Sequence, residues 1–502
     1  MMNRLRTPAG WFLAGLLLLG LAACQAARPT PTAAPPAPAG GTPLAAVAAT
    51  QTLLPTRPDT ATPLPSHTPT SRPSPTATPT VVPSVTPTAS ATARQFATLD
   101  ASLPTPATAI PTPVPPFAKP PEVTNILLLG NDVAWPQGGR TDSLIVVSIN
   151  SQTKTASMLS LPRDLYVYIP GWKMDRINLA LPHGHGSGYP GGGGALVKDT
   201  ILYNFGIPID YYARVGFEGF KQIVDTLGGV EIAVSCQLRD WRLISPELDP
   251  NVEENWEQFT LEPGVYEMDG DLALWYARSR RTSNDFERGR RQQQVLRAIF
   301  NNGLDRELLP RIPQLWDTYR ETVETDLTLP VILQLAALAP DVRENGIQNL
   351  YLSYGAVRPW REPSTGSAMQ LLQWAEAAPV LGQLMQPPVL NRAGREPIVV
   401  AVVSEGNNIM WRLAADNLAW HGFVPVRASG DGTTPNHTQV TYYGDNFKGS
   451  FDWLLAWVMD VDRAEIGLAP AGTGDPPSNY RVVLGYDYDP CRPELEAPRS
   501  GD

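Results

Sequence analysis

From Glu122 onward the chain alternates between short apolar runs and segments of helical spacing. VTNILLLGND (123–132) is a near-continuous apolar run closed by Gly-Asn-Asp, the pattern of a buried strand that ends in a loop. SLIVVSIN (143–150) and TASMLSL (155–161) predict the two strands of a β-hairpin turning at Ser151–Lys154. Apolar spacing predicts helices over Ala195–Phe205 and Glu218–Leu227. Tyr211–Val215 and Val230–Val234 have strand character, with Gly228-Gly229 as the stop between helix and strand. Helices alternating with strands predict an α/β sandwich, a central mixed β-sheet flanked by helices. The segment from Leu304 to about Met385 reads as mainly helical, broken at Leu329-Pro330 and Leu338–Pro340. A proline-bearing linker over 386–397 then leads to a small α/β domain over 398–490. There IVVAVVS, a helix over Met410–Trp420, QVTYYG, a helix over Phe451–Val458 and YRVVLGYD form a βαβ-type unit, followed by a tail over 491–502.

Upstream of 122 the periodicity vanishes. From Arg28 to about Pro121 the chain is Pro, Thr, Ala and Ser, with too little apolar surface to offset the entropy of ordering. The expectation is a disordered stalk over 24–121, partly polyproline II. About 90 such residues reach roughly 280 Å fully extended and roughly 55 Å as a coil. Before it, Arg4 and Arg6 precede an apolar run, Trp11–Leu21, too short for an ordinary spanning helix. Leu21-Ala22-Ala23-Cys24 resembles a bacterial lipobox. That predicts a signal peptide over 1–23, lipidation of Cys24, and export to the outer face of the cytoplasmic membrane, where two or more acyl chains anchor stably.

The formal net charge is −10. With an export signal and no interleaving of basic and aromatic residues, this argues against nucleic acid as a partner. Besides Cys24 the chain has Cys236 and Cys491. Export permits a disulfide, but so wide a separation makes two separate buried thiols at least as natural an expectation. His183 and His185 lie in LPHGHGSGYPGGGG, where the glycine run predicts a lid or a disordered loop rather than a zinc site.

Against this acidic background RSRRTSNDFERGRRQQQ (278–294) carries six arginines in seventeen residues. Arg278 and Arg280, two apart on an extended segment, face one side. Asn284 is placed to cap a helix, with Glu287 three residues on as in a capping box. Within that helix Arg288 and Gln292 are i and i+4 and share a face, with Arg291 beside them, while Val295, Leu296, Ile299 and Phe300 supply a buried side. Forked guanidiniums near a helix N-terminus suit phosphate oxygens. Read by charge alone, the stretch is rather a solvated charged helix paired with acidic neighbours.

The order of motifs changes that balance. NILLLGND (125–132), RTDSLIVVSIN (140–150), MLSLPRD (158–164), DRIN (175–178), GIPIDYYARVGFEGFKQIVDTLGGVEIAV (206–234), GVYEMDGDLALWYARSR (264–280) and DFERGRRQQQVL (285–296) together resemble the LytR-CpsA-Psr (LCP) family of cell-envelope glycopolymer transferases. The resemblance covers roughly 122–305, and the helical part to 385 fits the remainder, giving a catalytic domain over 122–385. The last domain resembles the LytR C-terminal domain, with SEGNN in place of the usual NGT-like turn.

The resemblance implies an α/β/α enzyme that moves an anionic glycopolymer from a polyprenyl pyrophosphate carrier to peptidoglycan, forming a phosphodiester. It implies magnesium, or manganese in its place, held by Asp132 and Asp142. It implies a pyrophosphate cradle of Arg140, Arg163, Arg176, Arg278, Arg280, Arg288 and Gln292, with Arg163, Arg278, Arg280 and Asp142 central to catalysis. Arg176 stands where the family often has lysine, and Glu287 where it usually has glycine. Most relatives use an uncleaved transmembrane anchor. Taken alone, Asp132 is a turn residue and Asp142 a strand-entry residue. Such chemistry rests on positioning and electrostatic stabilisation, and magnesium typically uses one or two carboxylates with waters and substrate phosphates. Asp142, Asp164 and Asp285 are candidate bases for the acceptor hydroxyl. The prenyl chain needs an apolar groove, which Phe220, Ile223, Val224 and Leu227 line if they are not plain core. The competing expectations are a pyrophosphatase that hands the phosphate to water and a non-catalytic binder of polyprenyl-linked glycan or wall polymer.

Overall fold

The structure, a computed structural model, describes residues 96–103, 105–132, 139–245, 247–319, 322–353, 355–387, 398–447, 450–474 and 476–493. Cys24, its leader and most of the expected stalk lie outside them.

The centre is a six-stranded mixed sheet. Its strands are β1 (Val123–Asn131), β2 (Thr141–Asn150), β3 (Thr155–Ser160), β4 (Tyr211–Gly216), β5 (Val323–Thr325) and β6 (Ile347–Tyr351), in the order β5-β4-β1-β2-β3-β6. β1 runs antiparallel to β2 and parallel to β4, and β2 is antiparallel to β3 across the predicted turn, where Lys154 takes φ 54°. The apolar run of β1 has a simple cause. Leu127 and Leu129 enter one hydrophobic core, while Ile126 and Leu128 face another on the opposite side of the sheet. Both faces are therefore covered.

Helices α1 (Gly192–Phe205), α2 (Phe217–Thr226), α3 (Gly270–Arg278) and α4 (Asp285–Asp305) pack around the sheet. Gly228 and Gly229, at φ 66° and 96°, close α2 in a conformation that favours glycine and start the strand Val230–Val234. The C-terminal unit has a five-stranded sheet of β7 (Val399–Val403), β8 (Val424–Arg427), β9 (Gln439–Tyr443), β10 (Gly467–Ala469) and β11 (Tyr480–Val483), ordered β8-β7-β11-β9-β10. It carries α5 (Asn408–Trp420) and α6 (Asp452–Met459).

Several expectations are corrected. Folded chain begins before Glu122: Phe96, Leu99 and Ile110 pack on Tyr166, Tyr168 and Tyr203, and the Phe117 amide donates to Gly206 at 2.8 Å. A few apolar residues in a Pro/Thr-rich stretch suffice, because aromatic side chains already wait for them. The 304–385 segment holds the helices Ile312–Tyr319, Leu329–Ala336, Ala339–Asn345 and Trp374–Gln383, but it is not helical throughout. It contributes β5 and β6, one at each edge of the main sheet, and a hairpin of Val357–Arg361 with Ala368–Leu372. These strands are too short to show alternation in sequence. The glycine-rich stretch is neither lid nor open loop. It forms a helix over Ala180–Gly186 and the start of α1, and a Cβ on Gly184 would sit 2.7 Å from the Gly193 Cα, so the glycines permit close helix packing. Cys236 and Cys491 are joined in a disulfide with Cα atoms 4.5 Å apart.

That bond belongs to an extensive junction, and the described residues form one compact unit. Asn417 on α5 is fully buried. Its Oδ1 accepts from Arg290 Nη2 at 2.6 Å and Ser235 Oγ at 3.1 Å, and its Nδ2 donates to the Pro490 carbonyl at 2.6 Å. Gln294 Nε2 donates to Asp416 at 2.9 Å. The C-terminal sheet domain is thus fastened to the outer face of α4. Among the described residues no helix is long and apolar enough to cross a membrane.

Candidate active site

The arginine stretch is a helix end, a loop and a second helix start. Asp269 caps α3 by accepting from the Leu272 amide at 2.8 Å, and Asn284 caps α4 by accepting from Phe286 and Glu287 amides at 2.8 and 3.0 Å. The predicted cap therefore stands where expected. Arg288 and Gln292 turn towards the sheet, where Gln292 Oε1 accepts from Ser143 Oγ on β2 at 3.0 Å. Arg291 turns elsewhere. It is buried and donates to the carbonyls of Tyr276 (2.9 Å) and Ser279 and to Ser283 Oγ (3.1 Å), so it braces the loop rather than facing an anion.

Four segments bring their charges together. Arg163, after β3, pairs with Asp142 at the start of β2, and its Nε lies 3.4 Å from Asp164. Arg176 shares Asp164 at 3.4 Å and also donates to the Ala368 carbonyl at 3.1 Å. Asp285 bridges Arg280 and Arg288, each at 3.3 Å. Arg288 is only 6% exposed, and burial drives its guanidinium down to about 10. Asp285 opposes that shift, and the like charges of Arg163 and Arg280 add to it. Burial also works against Arg163, but Asp142, Asp164 and Asp285 overcome it and hold that guanidinium above its ordinary value. Arg278 stands at the lip with its guanidinium 4.0 Å over the Phe217 ring. Burial on that side lowers its pKa, against the pull of Asp142 and Asp132. An anion placed among these groups relieves the crowding of positive charge.

Asp132 is exposed just beyond β1, and Arg140 is exposed just before β2. The Arg140 carbonyl accepts from Asn131 Nδ2 at 3.1 Å, and Asn131 Oδ1 accepts from Arg214 Nη2 at 3.0 Å. Arg214, 1% exposed, is held by Glu324 at 3.0 Å. Sequence reasoning missed this support. Its signal was a lone arginine inside the strand YYARVG.

Behind the arginines opens an apolar cavity of about 140 Å³. Asn131, Asp142, Ser143, Arg278 and Gln292 line its polar part, and Leu129, Ile145, Phe217, Phe220, Ile223 and Ile299 line its walls. A second cavity of about 180 Å³ shares Leu128, Leu296 and Ile299 with the first and continues between sheet and helices. Of the four residues considered for a groove, Phe220 and Ile223 line the cavity, while Val224 and Leu227 are core.

The histidines diverge. His183 stacks on Trp172 with centroids 3.9 Å apart, and His185 Nε2 lies 3.2 Å from Glu324. Among the described residues no group of three or more His, Cys, Asp or Glu is placed to hold a metal. Asp132 and Asp142 both act on Arg278.

The chain is similar to several known proteins. The polyisoprenyl-teichoic acid–peptidoglycan teichoic acid transferase TagU of Bacillus licheniformis is 31% identical over 228 residues, 45% of this chain and 67% of that protein. The corresponding TagT of Bacillus subtilis is 31% identical over 211 residues, 41% of this chain and 60% of that protein. The match thus spans about two thirds or less of these relatives' length. Solved structures that resemble the chain include B. subtilis TagV, 25% identical with a TM-score of 0.42, over 53% of this chain and 96% of that one. Another is TagT with bound octaprenyl pyrophosphate lipid, 25% identical with a TM-score of 0.38, over 53% and 89%. The family model described as the LytR_cpsA_psr family matches residues 89–376, more than half of the chain, and to that family this protein belongs.

Proposed function

We propose that this protein transfers a phosphate-linked glycopolymer from a polyprenyl pyrophosphate carrier to a peptidoglycan hydroxyl. The observation that carries the reading is one juxtaposition: Arg278 lines the polar part of an apolar cavity beside Asp142, the partner of Arg163, and the charge of Arg163 acts on Arg288, which shares Asp285 with Arg280. A diphosphate attached to a prenyl chain has that same division between charge and hydrocarbon.

In this reading the prenyl chain lies along Phe220 and Ile223, and Arg163, Arg278, Arg280 and Arg288 hold the diphosphate. Arg140 and Arg176 extend the positive rim, and Gln292, fixed by Ser143, supplies an amide. The acceptor hydroxyl oxygen forms a bond to the phosphorus that bears the glycan. The bond from that phosphorus to the bridging oxygen breaks, and polyprenyl phosphate leaves. The arginines neutralise charge as it moves onto the leaving phosphate, and the hydroxyl proton is taken up at the carboxylate-lined mouth. Asp132 and Asp142 are the residues that would hold magnesium or manganese, which supplies Lewis-acid neutralisation of phosphate oxygens. Export and lipidation at Cys24 would place the site at the outer membrane face, where carrier and wall meet.

The test incubates the full chain with a polyprenyl pyrophosphoryl sugar and magnesium, with and without peptidoglycan. Transfer predicts released polyprenyl phosphate together with sugar retained on the glycan. Release without an acceptor product identifies a pyrophosphatase, and tight binding without turnover a binding protein. Either result overturns the transferase reading.

A further inference from the structure

The loop carrying Arg280 is gripped by residues that lie outside the family-like motifs. A hairpin of Leu238–Leu243 with Trp256–Leu261 lies beside it. Asp240, on the first of these strands, accepts from the main-chain N–H of Arg280 at 2.8 Å and of Arg281 at 3.2 Å through the same oxygen, Oδ2. One residue away, the Arg239 amide donates to Thr282 Oγ1 at 3.0 Å, and that hydroxyl donates back to the Arg239 carbonyl at 3.3 Å. The other side of the loop belongs to Arg291, which takes the carbonyls of Tyr276 and Ser279. Carbonyls are thus held from within and amides from without.

We infer that Asp240 is a positioning residue for the reaction, a carboxylate that fixes the Arg280 main chain so that its guanidinium points at the diphosphate. This rests on the pyrophosphate reading of the site. The physical reason is the length of the side chain. An arginine has four rotatable side-chain bonds, and its reach onto a phosphate is defined only if its Cα is fixed. Arg280 is also the more exposed partner of Asp285, with 43% of its side chain open against 8% for Arg288. Burial orients Arg288, whereas Arg280 depends on its backbone. A charged acceptor on two consecutive amides is a strong restraint, since hydrogen bonds to ionised groups are about twice as strong as neutral ones. The Asp240 carboxylate makes no contact with the phosphates in this arrangement and acts through Arg280.

The experiment is a double-mutant cycle on the full chain, with binding of a polyprenyl pyrophosphate and of the matching monophosphate as the readout. Arg280→Ala first tests the site itself. If it leaves pyrophosphate affinity unchanged, the pyrophosphate reading fails whatever Asp240 does. Given a loss with Arg280→Ala, Asp240→Ala is expected to weaken pyrophosphate binding on the order of 10- to 100-fold, the cost of misplacing a binding group by about 1 Å. Asp240→Asn keeps an acceptor oxygen and recovers part of that loss. In the Arg280→Ala background either Asp240 substitution should add almost nothing, because its effect runs through the missing guanidinium. Additive losses, or equal losses for pyrophosphate and monophosphate, overturn the inference, as does full affinity in Asp240→Ala. If Asp240→Ala proves unfolded, the near-isosteric Asp240→Asn completes the same cycle and decides it.

Discussion

Replacing Asp142 by asparagine separates two effects proposed for one carboxylate. Asp142 lines the cavity mouth and pairs with Arg163, the two side chains being 31% and 18% exposed. Its charge attracts a cation but repels the anion that the arginines attract. For a carboxylate ~6 Å from a phosphate charge, at an effective dielectric of ~40 for a half-buried mouth, the repulsion is ~1.4 kcal/mol. Removing it should therefore tighten metal-free binding of inorganic pyrophosphate by about tenfold. Arg163 remains charged in the variant, because Asp164 and Asp285 also favour its cation. Turnover should move the opposite way. With one of two metal-holding carboxylates neutralised, release of polyprenyl phosphate in magnesium should fall by about a hundredfold or more, the usual scale for losing one electrostatic contact to the transition state. Calorimetric titration with pyrophosphate in a chelator, and a product assay in magnesium, give the two numbers. Tighter binding with undiminished turnover would refute a metal role for Asp142. Weaker metal-free binding would show that Asp142 serves to aim Arg163 and that the repulsion argument is wrong.

Three further outcomes follow from other parts of the structure. Phe220→Glu places a carboxylate in the wall of the 140 Å³ cavity; it should remove the affinity gained from the prenyl chain, ~0.8 kcal/mol per buried methylene, while inorganic pyrophosphate still binds, and equal loss of both ligands would count against the cavity as the lipid site. Breaking the 236–491 disulfide, whose cysteines are 255 residues apart, as Cys236→Ser/Cys491→Ser should lower unfolding free energy by about 2–4 kcal/mol, read from denaturant titration; an unchanged midpoint would refute a stabilising staple. His421 lies beside Arg290 and the Trp457 ring, and although part of the residue is exposed its Nε2 is sealed from solvent. Burial first, then Arg290, pushes its imidazole down to about 3 from an ordinary 6.5. A folded-state value below the unfolded one means stability is intact above 6.5 and declines as pH falls from 6.5 towards 3. The full slope would be ~1.4 kcal/mol per pH unit, about half that after allowance for exposure. His421→Gln should flatten the difference in denaturant midpoint between pH 7 and pH 4.5, and an unchanged difference would exclude His421 as its source.

The sequence made the inner strands legible because each shows its burial directly. The β1 run is apolar on both faces, and the β2–β3 hairpin is marked by its polar turn. The cap at Asn284 and the shared face of Arg288 and Gln292 were legible for the same local reason. What stayed hidden was tertiary. The edge strands Val323–Thr325 and Ile347–Tyr351 take their conformation from a neighbour, not from their own period. The glycines near His185 looked like freedom and serve close packing, because glycine's missing side chain suits either use. Arg214 and Asp240 carried no motif, and their roles follow from which backbone or amide group happens to face them.

The arginine-rich stretch shows why counting charge misleads where helical period decides. Its six arginines share a sequence neighbourhood, but a helix end, a loop and a new helix, with 100° of rotation per residue within α4, send their side chains to different surroundings. Arg278 lines the polar part of the cavity, and Arg280 and Arg288 share Asp285. Arg281 turns out over Trp241. Arg291 folds back onto the loop that presents Arg280, and Arg290, with Gln294 one turn on, faces away into Asn417 and Asp416 of the C-terminal domain. A helix clamped on its outer face by a second domain and at its N-terminal end by its own loop has little freedom to rotate. Asp285 at 3.3 Å and that rigidity together hold Arg288 buried beside the charges of Arg163 and Arg280. The C-terminal domain thus braces α4 through Arg290 and Gln294, and an acidic protein can gather a positive cradle from separate segments around the first turns of that helix.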